Sequence, residues 1–329
     1  MIRRGLVAIG AIVVPIATLD ILTRRASRRL LDRPRRFPDE PSLGPALDAL
    51  GGEVVRIRAR DGHRLSARWV AAETDGSGWT PDPHEAIVLL HGASGSIAPH
   101  LVEHAPYLRR TAAVLGLDFR GHGDSDDSPT TFGLRETEDV AGALAWLGER
   151  GIERVTLMGL SMGGMTAITA VAVLGDGSLV GTDIDPDAPR HVPQPRRPRI
   201  LAVVADSAIP DVESLAVPFI PGPLPRLFAR RVFDTIARAL GGDPRETEPL
   251  RVIGLLEGVD VLLIAGDRDP ILPVADAQRL ADAGPPGTTL WVVPDAEHRL
   301  GHRVDPAGYE ARVEEHLRAA FRRGREADL

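Results

Sequence analysis

A chain of 329 residues with 43% hydrophobic and 26% charged residues has the composition of a folded globular protein, long enough for one large α/β domain and an appendage. A formal net charge of -7 argues against a nucleic-acid binder, which needs a cationic face to neutralise phosphates, although the arginines are unevenly distributed. The absence of cysteine removes disulfides, thiolate metal sites and a cysteine nucleophile.

At the amino terminus Arg3 and Arg4 precede an apolar run, residues 5–22, with a single charge at Asp20. A helix of that length spans roughly 27 Å, close to the roughly 30 Å hydrocarbon core of a bilayer, and Pro15 is tolerable inside such a helix. A small-x-small cleavage signal is not clear, so the run is expected to be an uncleaved membrane anchor rather than a secretory leader. Arg24, Arg25, Arg28, Arg29, Arg33, Arg35 and Arg36 follow it, which by the positive-inside rule places the main domain on the cytoplasmic side. The expected organisation is an anchor with its basic flank over 1–36, a Pro-rich linker over 37–51, and one catalytic-sized domain over 52–329.

That domain opens with alternation in Val54–Arg58, a turn at Asp61-Gly62 and a second strand over Leu65–Val70, which predicts a β-hairpin. Six short apolar runs follow, Ile87–Leu90, Ala113–Leu117, Val155–Met158, Ile200–Ala205, Val259–Ala265 and Thr289–Val293. None alternates with polar residues, as expected of parallel strands buried on both faces. Helical patterns fall between them, near Leu101–Arg110, Leu134–Glu149, Met162–Leu174, Val274–Ala283 and Pro306–Phe321. The alternation predicts a mostly parallel, doubly wound α/β sheet, whose chemistry belongs beyond the carboxyl ends of the strands. Two stretches break the rhythm: Gly175–Arg199, rich in Asp, Pro and Arg, reads as an irregular loop, and about 209–258 reads as a small helical cap.

Gly159-Leu160-Ser161-Met162-Gly163-Gly164 follows a strand and opens a helix, the context of a Gly-x-Ser-x-Gly nucleophile elbow. Such a turn demands small residues two before and two after the serine, and it sets the hydroxyl at a helix amino terminus, where the dipole favours developing negative charge. His91-Gly92-Ala93 follows an earlier strand, so the N–H groups of Ala93 and Met162 are candidates for an oxyanion hole. A serine needs a base held in one tautomer by a carboxylate. Gly266-Asp267-Arg268-Asp269-Pro270 and Pro294-Asp295-Ala296-Glu297-His298 follow the last two strands and supply candidates in the chain order serine, acid, histidine. Asp267 and His302 are rivals for acid and base, and His122 reads as structural.

The stretch Asp118-Phe119-Arg120-Gly121-His122-Gly123-Asp124-Ser125, the elbow and the segment Asp269–Pro273 resemble the α/β-hydrolase superfamily, over about Glu53–Phe321, and in particular its branch with an amino-terminal hydrophobic segment. The resemblance implies the α/β-hydrolase fold and a triad of Ser161, Asp269 and His298 working through an acyl-enzyme on a small-molecule ester or thioester, with no metal or organic cofactor. A His-Gly-Gly-Gly loop is lacking, so tolerance of tertiary-alcohol esters is not implied. Amide hydrolysis or acyl transfer on the same triad is the neighbouring reading, and a non-catalytic membrane-tethered binding module the reading of another class. Val217, Phe219, Ile220, Leu224 and Phe228 in the cap are candidates to line an acyl pocket or merely to cover the sheet.

Overall fold

The computed structural model describes residues 20–31, 43–93, 95–175, 197–216 and 225–329. Eight strands form one sheet: β1 (Glu53–Arg58), β2 (Arg64–Val70), β3 (Glu85–Leu90), β4 (Ala113–Leu117), β5 (Arg154–Leu160), β6 (Arg199–Asp206), β7 (Asp260–Gly266) and β8 (Thr289–Val293). Their spatial order is β1-β2-β4-β3-β5-β6-β7-β8. The hairpin β1–β2 is antiparallel and joins β4 antiparallel, whereas β3 to β8 run parallel.

The lack of alternation in the central runs has the expected cause. Every residue of β3, β4 and β5 is buried, because helices cover both faces of the sheet. Ala86, Val88 and Leu90 of β3 point to one side, with α4 (Glu136–Glu149) and α5 (Met162–Leu174) packed there through Val140, Leu144, Ile168 and Val171. Ile87 and Leu89 point to the other side, against α3 (Ala98–Leu108) and the carboxyl-terminal helix Pro306–Ala327 through Leu101, Leu108, Leu317 and Phe321. Truncating Leu90, Leu144, Ile168, Leu101 or Phe321 to alanine would cost about 2–5 kcal/mol, the transfer and cavity contributions together. Helix α3 starts three residues before its apolar pattern does, because Pro99 suits a first turn and the N–H of Ile97 is taken by Asp118 Oδ1 at 2.7 Å.

The winding reverses between β3 and β5. From β3 the chain crosses to β4 on one side, and from β4 it returns past β3 to β5 and continues outward to β8. The crevice where ligands bind in such sheets therefore opens between the loops after β3 and β5, the loops that carry His91-Gly92-Ala93 and Ser161.

Between β6 and β7 stand the helices Val212–Ala216 and Pro225–Leu240, a 3-10 turn Pro244–Thr247 and the short helix Pro249–Val252. The helix Pro225–Leu240 lays Ala229, Val232, Phe233 and Ile236 on Phe132, Met165 and Ile209 at the carboxyl-terminal edge of the sheet. This is the helical cap. Phe228 borders that cluster and is half-buried, while Val217, Phe219, Ile220 and Leu224 lie outside the described residues, as do 176–196 of the expected irregular loop.

Two amino-terminal segments differ from expectation. Residues 43–50, read as linker, form the helix Leu43–Leu50, whose Leu47 and Leu50 pack beside the α3 side of the sheet. Leu43, Leu47 and Leu50, spaced by four and then three residues, give the segment an apolar stripe that its Pro-rich surroundings disguise. Residues 20–31, read as anchor end and basic flank, are helical and dock on the cap: Leu31 is buried in its cluster, and Ser27 Oγ donates to the Val232 carbonyl at 3.1 Å. The expected anchor over 5–22 lies outside the described residues apart from its last three positions. Among the described residues no helix is long and apolar enough to cross a membrane.

Candidate active site

The elbow is built by close approach. Ser161 sits between β5 and α5 with φ 54° and ψ -114°, a left-handed conformation that costs a non-glycine residue about 1–3 kcal/mol. Its N–H donates to the Asp206 carbonyl at 2.7 Å, which ties the strained turn to β6. A Cβ on Gly159 would overlap the backbone of Gly163, and one on Gly163 would overlap the carbonyl of Leu90 in β3. These two glycines are therefore dictated by packing, since only hydrogen fits between backbone and backbone.

The structure brings three expected side chains together. His298 Nε2 lies 2.9 Å from Ser161 Oγ, and His298 Nδ1 lies 2.7 Å from Asp269 Oδ2. The other oxygen, Asp269 Oδ1, accepts the backbone N–H groups of Ile271 at 2.8 Å and Leu272 at 2.9 Å. The Asp269 side chain is fully buried and that of His298 is 12% exposed, so the carboxylate faces protein while the imidazole edge stays within reach of a ligand. Asp269 thus holds Nδ1–H as a donor and leaves Nε2 as the acceptor facing the serine hydroxyl.

The rival residues stand elsewhere. Asp267 is exposed on the same loop. His302 pairs with Glu103 at 3.4 Å and Glu310 at 3.2 Å, and the hydrogen bond it donates to Glu103 raises its pKa against the effect of burial. His122 is buried, its Nδ1 2.9 Å from the Arg120 carbonyl and its ring edge-on to His91.

Behind Ser161, the loop after β3 is pinned from inside. His91 Nε2 accepts the Phe119 N–H at 3.0 Å, which puts the ring proton on Nδ1, 2.6 Å from the Gly92 carbonyl. Complete burial holds the His91 pKa well below its ordinary value, so the ring stays neutral in this role. Gly92 lies against Ser161: a Cβ added there would meet Ser161 Cβ at 3.6 Å. Ala93 comes next on that loop, and Met162 follows Ser161 at the start of α5, where the helix dipole adds to its N–H. Among the described residues neither N–H is taken by a backbone carbonyl. The motif Asp118–Ser125 supports the same loop from below. Arg120 is fully buried and paired with Asp139 and Asp61, each at 2.7 Å, and burial, which opposes its charge, loses to those two carboxylates.

Sequence reasoning missed the group that joins serine and histidine loops. Asp206, at the end of β6, accepts from Ser207 Oγ at 2.8 Å and from Tyr309 Oη at 2.8 Å, and Ser207 Oγ accepts the Arg299 N–H at 3.0 Å. Burial pushes the Asp206 carboxyl up, against the hydrogen bonds from Tyr309 and Ser207. Its position at the carboxyl end of a strand was the available signal.

A buried polar cluster beside these loops couples folding to pH. His104 Nδ1 lies 3.1 Å from Tyr107 Oη, and burial lowers His104 to about 3 and neighbouring His100 to about 4, from the ordinary 6.5. Below pH 6.5 the unfolded chain takes up protons that the folded chain refuses, so stability is full above 6.5 and falls as pH drops toward those lower values. At about 1.4 kcal/mol per pH unit for each histidine, urea unfolding should show a loss of about 2 kcal/mol per group between pH 6.5 and 5. The variant His104→Gln should lose one proton's worth of that slope; an unchanged slope would show that His104 does not carry it.

With this geometry in place, the comparisons with known proteins are consistent. The model of the "Alpha/beta hydrolase family" matches residues 87–312, more than half of the chain, and the protein belongs to that family. It is 26% identical over 265 residues to YfhR of Escherichia coli O157:H7, covering 80% of this chain and 78% of that one. Over 104 residues it is 38% identical to the sn-1-specific diacylglycerol lipase ABHD11 of Mus musculus, 31% of this chain and 33% of that one. Among solved structures it is similar to the Pyrococcus furiosus esterase Pf2001, with a TM-score of 0.62 and 22% identity over 88% of this chain and 99% of that one. At that identity the structural likeness establishes the fold.

Proposed function

We propose that the protein is a serine hydrolase that cleaves carboxylic esters or thioesters through an acyl-enzyme on Ser161. The observation that carries this reading is the unbroken line from Asp269 through His298 to Ser161 Oγ, at 2.7 and 2.9 Å. As the serine oxygen attacks the carbonyl carbon, His298 Nε2 takes its proton, and Asp269 stabilises the imidazolium that forms. The carbonyl oxygen becomes an oxyanion, for which the N–H groups of Ala93 and Met162 are the donors. His298 then returns the proton to the leaving alcohol or thiol. In the second half the same ring deprotonates water, which releases the acid and restores the serine. None of these steps calls for a metal or an organic cofactor. Esterases and a lipase among the similar proteins support an ester substrate.

The test is a p-nitrophenyl ester series from acetate to palmitate, run beside labelling with a fluorophosphonate probe. Turnover of some member together with labelling at Ser161 is expected, and the chain-length optimum would size the acyl site. Failure of both on folded protein would leave the binding-module reading instead. Labelling without turnover of any ester would keep the nucleophile and point to an amide or to transfer to another acceptor.

A further inference from the structure

The residue after His298 is Arg299, and its backbone is held in the left-handed region at φ 62°, where a long side chain is strained. The bond from its N–H to Ser207 Oγ, itself bonded to Asp206, maintains that turn. Its effect is to carry the side chain back toward the nucleophile. A Cβ built on Gly92 would lie 3.0 Å from Arg299 Nη1 and 3.6 Å from Ser161 Cβ, so the guanidinium and the serine flank one small volume beside the oxyanion loop.

This guanidinium is partly buried, and burial works against its charge. Among the described residues it has no ion-pair partner. The acids whose charge it feels are engaged elsewhere: Asp206 by Tyr309 and Ser207, Asp269 by His298, and Glu103 by His302 and Arg303. A partly desolvated cation without a counter-ion is a cost to a fold. An arginine retained in that state next to a nucleophile is suited to an anion that arrives with the substrate, because its planar fork matches a carboxylate in two parallel bonds.

We propose that Arg299 is a specificity-determining residue that recognises a carboxylate on the ester, placed within a few atoms of the scissile carbonyl. The substrate class is then an ester or thioester with a free carboxylate, such as a half-ester of a short dicarboxylic acid, rather than a purely apolar lipid. This inference rests on the reading of Ser161 as nucleophile.

The experiment compares substrates of equal length that differ in charge. Mono-p-nitrophenyl glutarate against p-nitrophenyl pentanoate places the carboxylate on the acyl side; 4-carboxyphenyl pentanoate against phenyl pentanoate places it on the alcohol side. After subtraction of the enzyme-free rate, one of the charged esters should be preferred by about tenfold or more in kcat/KM, chiefly through KM. In Arg299→Leu the ratio of charged to neutral ester should fall by about that factor, whatever happens to the neutral rate, and Arg299→Lys should recover part of it. If the leucine variant does not fold, Arg299→Gln reads the same ratio.

Binding separates this inference from the one beneath it. Ser161→Ala protein should bind glutarate by calorimetry, and the further change Arg299→Leu should abolish that binding. Esters hydrolysed with no charge preference, or with one that survives Arg299→Leu, would overturn the role of Arg299 and leave the nucleophile in place. Arg299-dependent glutarate binding without turnover of any ester would do the reverse. Neither binding nor turnover would overturn both.

Discussion

Replacing Ser161 with alanine should lower kcat/KM for any ester the protein hydrolyses by roughly 10⁴- to 10⁶-fold, and His298→Ala should cost about as much. The two losses should not multiply. The serine hydroxyl is a weak nucleophile unless His298 Nε2, 2.9 Å away, takes its proton as the bond forms. Once either partner is gone, the other has nothing to act on, so the double variant should sit within about tenfold of either single one. The residual rate would report what the oxyanion donors and binding supply without a nucleophile. Stability should change little in Ser161→Ala, because the strained φ of 54° and the N–H bond to the Asp206 carbonyl belong to the backbone. Steady-state kinetics with p-nitrophenyl esters, beside urea unfolding of each variant, checks both statements. Additive losses would mean that serine and histidine act in separate steps and would sink the relay described above.

The parts of this molecule that were legible in the sequence are those whose cause is local. Strands β3 to β5 lie in the interior of the sheet, so their composition alone shows burial on both faces. The elbow is legible because Gly159 and Gly163 are each forced by a backbone contact within the turn or with the neighbouring strand. Chain order was enough to single out Asp269 and His298 as the side chains that the fold brings to Ser161, since each follows a strand that ends on the same edge as β5. What was not legible depends on partners far along the chain. The helix Leu43–Leu50 needs the α3 side of the sheet to bury Leu47 and Leu50, and helix 20–31 needs the cap to receive Leu31. Arg299 looks like any charged loop residue until a left-handed backbone angle turns it inward, and that angle depends on Ser207 and Asp206, more than ninety positions earlier. Periodicity cannot report such a contact, because neither partner belongs to a repeating pattern.

The choice between the two aspartates of the loop after β7 makes the second large effect. Asp269→Asn should lower kcat by about 10²- to 10⁴-fold, whereas Asp267→Asn should stay within about twofold of the unaltered protein. The argument is one of hydrogen-bond direction. Asp269 Oδ1 accepts two backbone N–H groups, from Ile271 and Leu272, and an amide oxygen can do the same. With its oxygen held there, the asparagine must turn its NH₂ toward His298 Nδ1, where Oδ2 stands at 2.7 Å. Nδ1 then becomes an acceptor and the ring proton moves to Nε2, which faces the Ser161 hydroxyl with no lone pair to take its proton. The fold should survive, since shape and backbone bonds are kept, so kcat should fall far more than stability does. Asp267 is exposed and its side chain orients nothing in the site, so its charge can go without consequence. The opposite pattern would assign the orienting carboxylate to Asp267 and would require the loop to rearrange whenever a substrate binds, because the His298 ring now has its Nδ1 committed to Asp269.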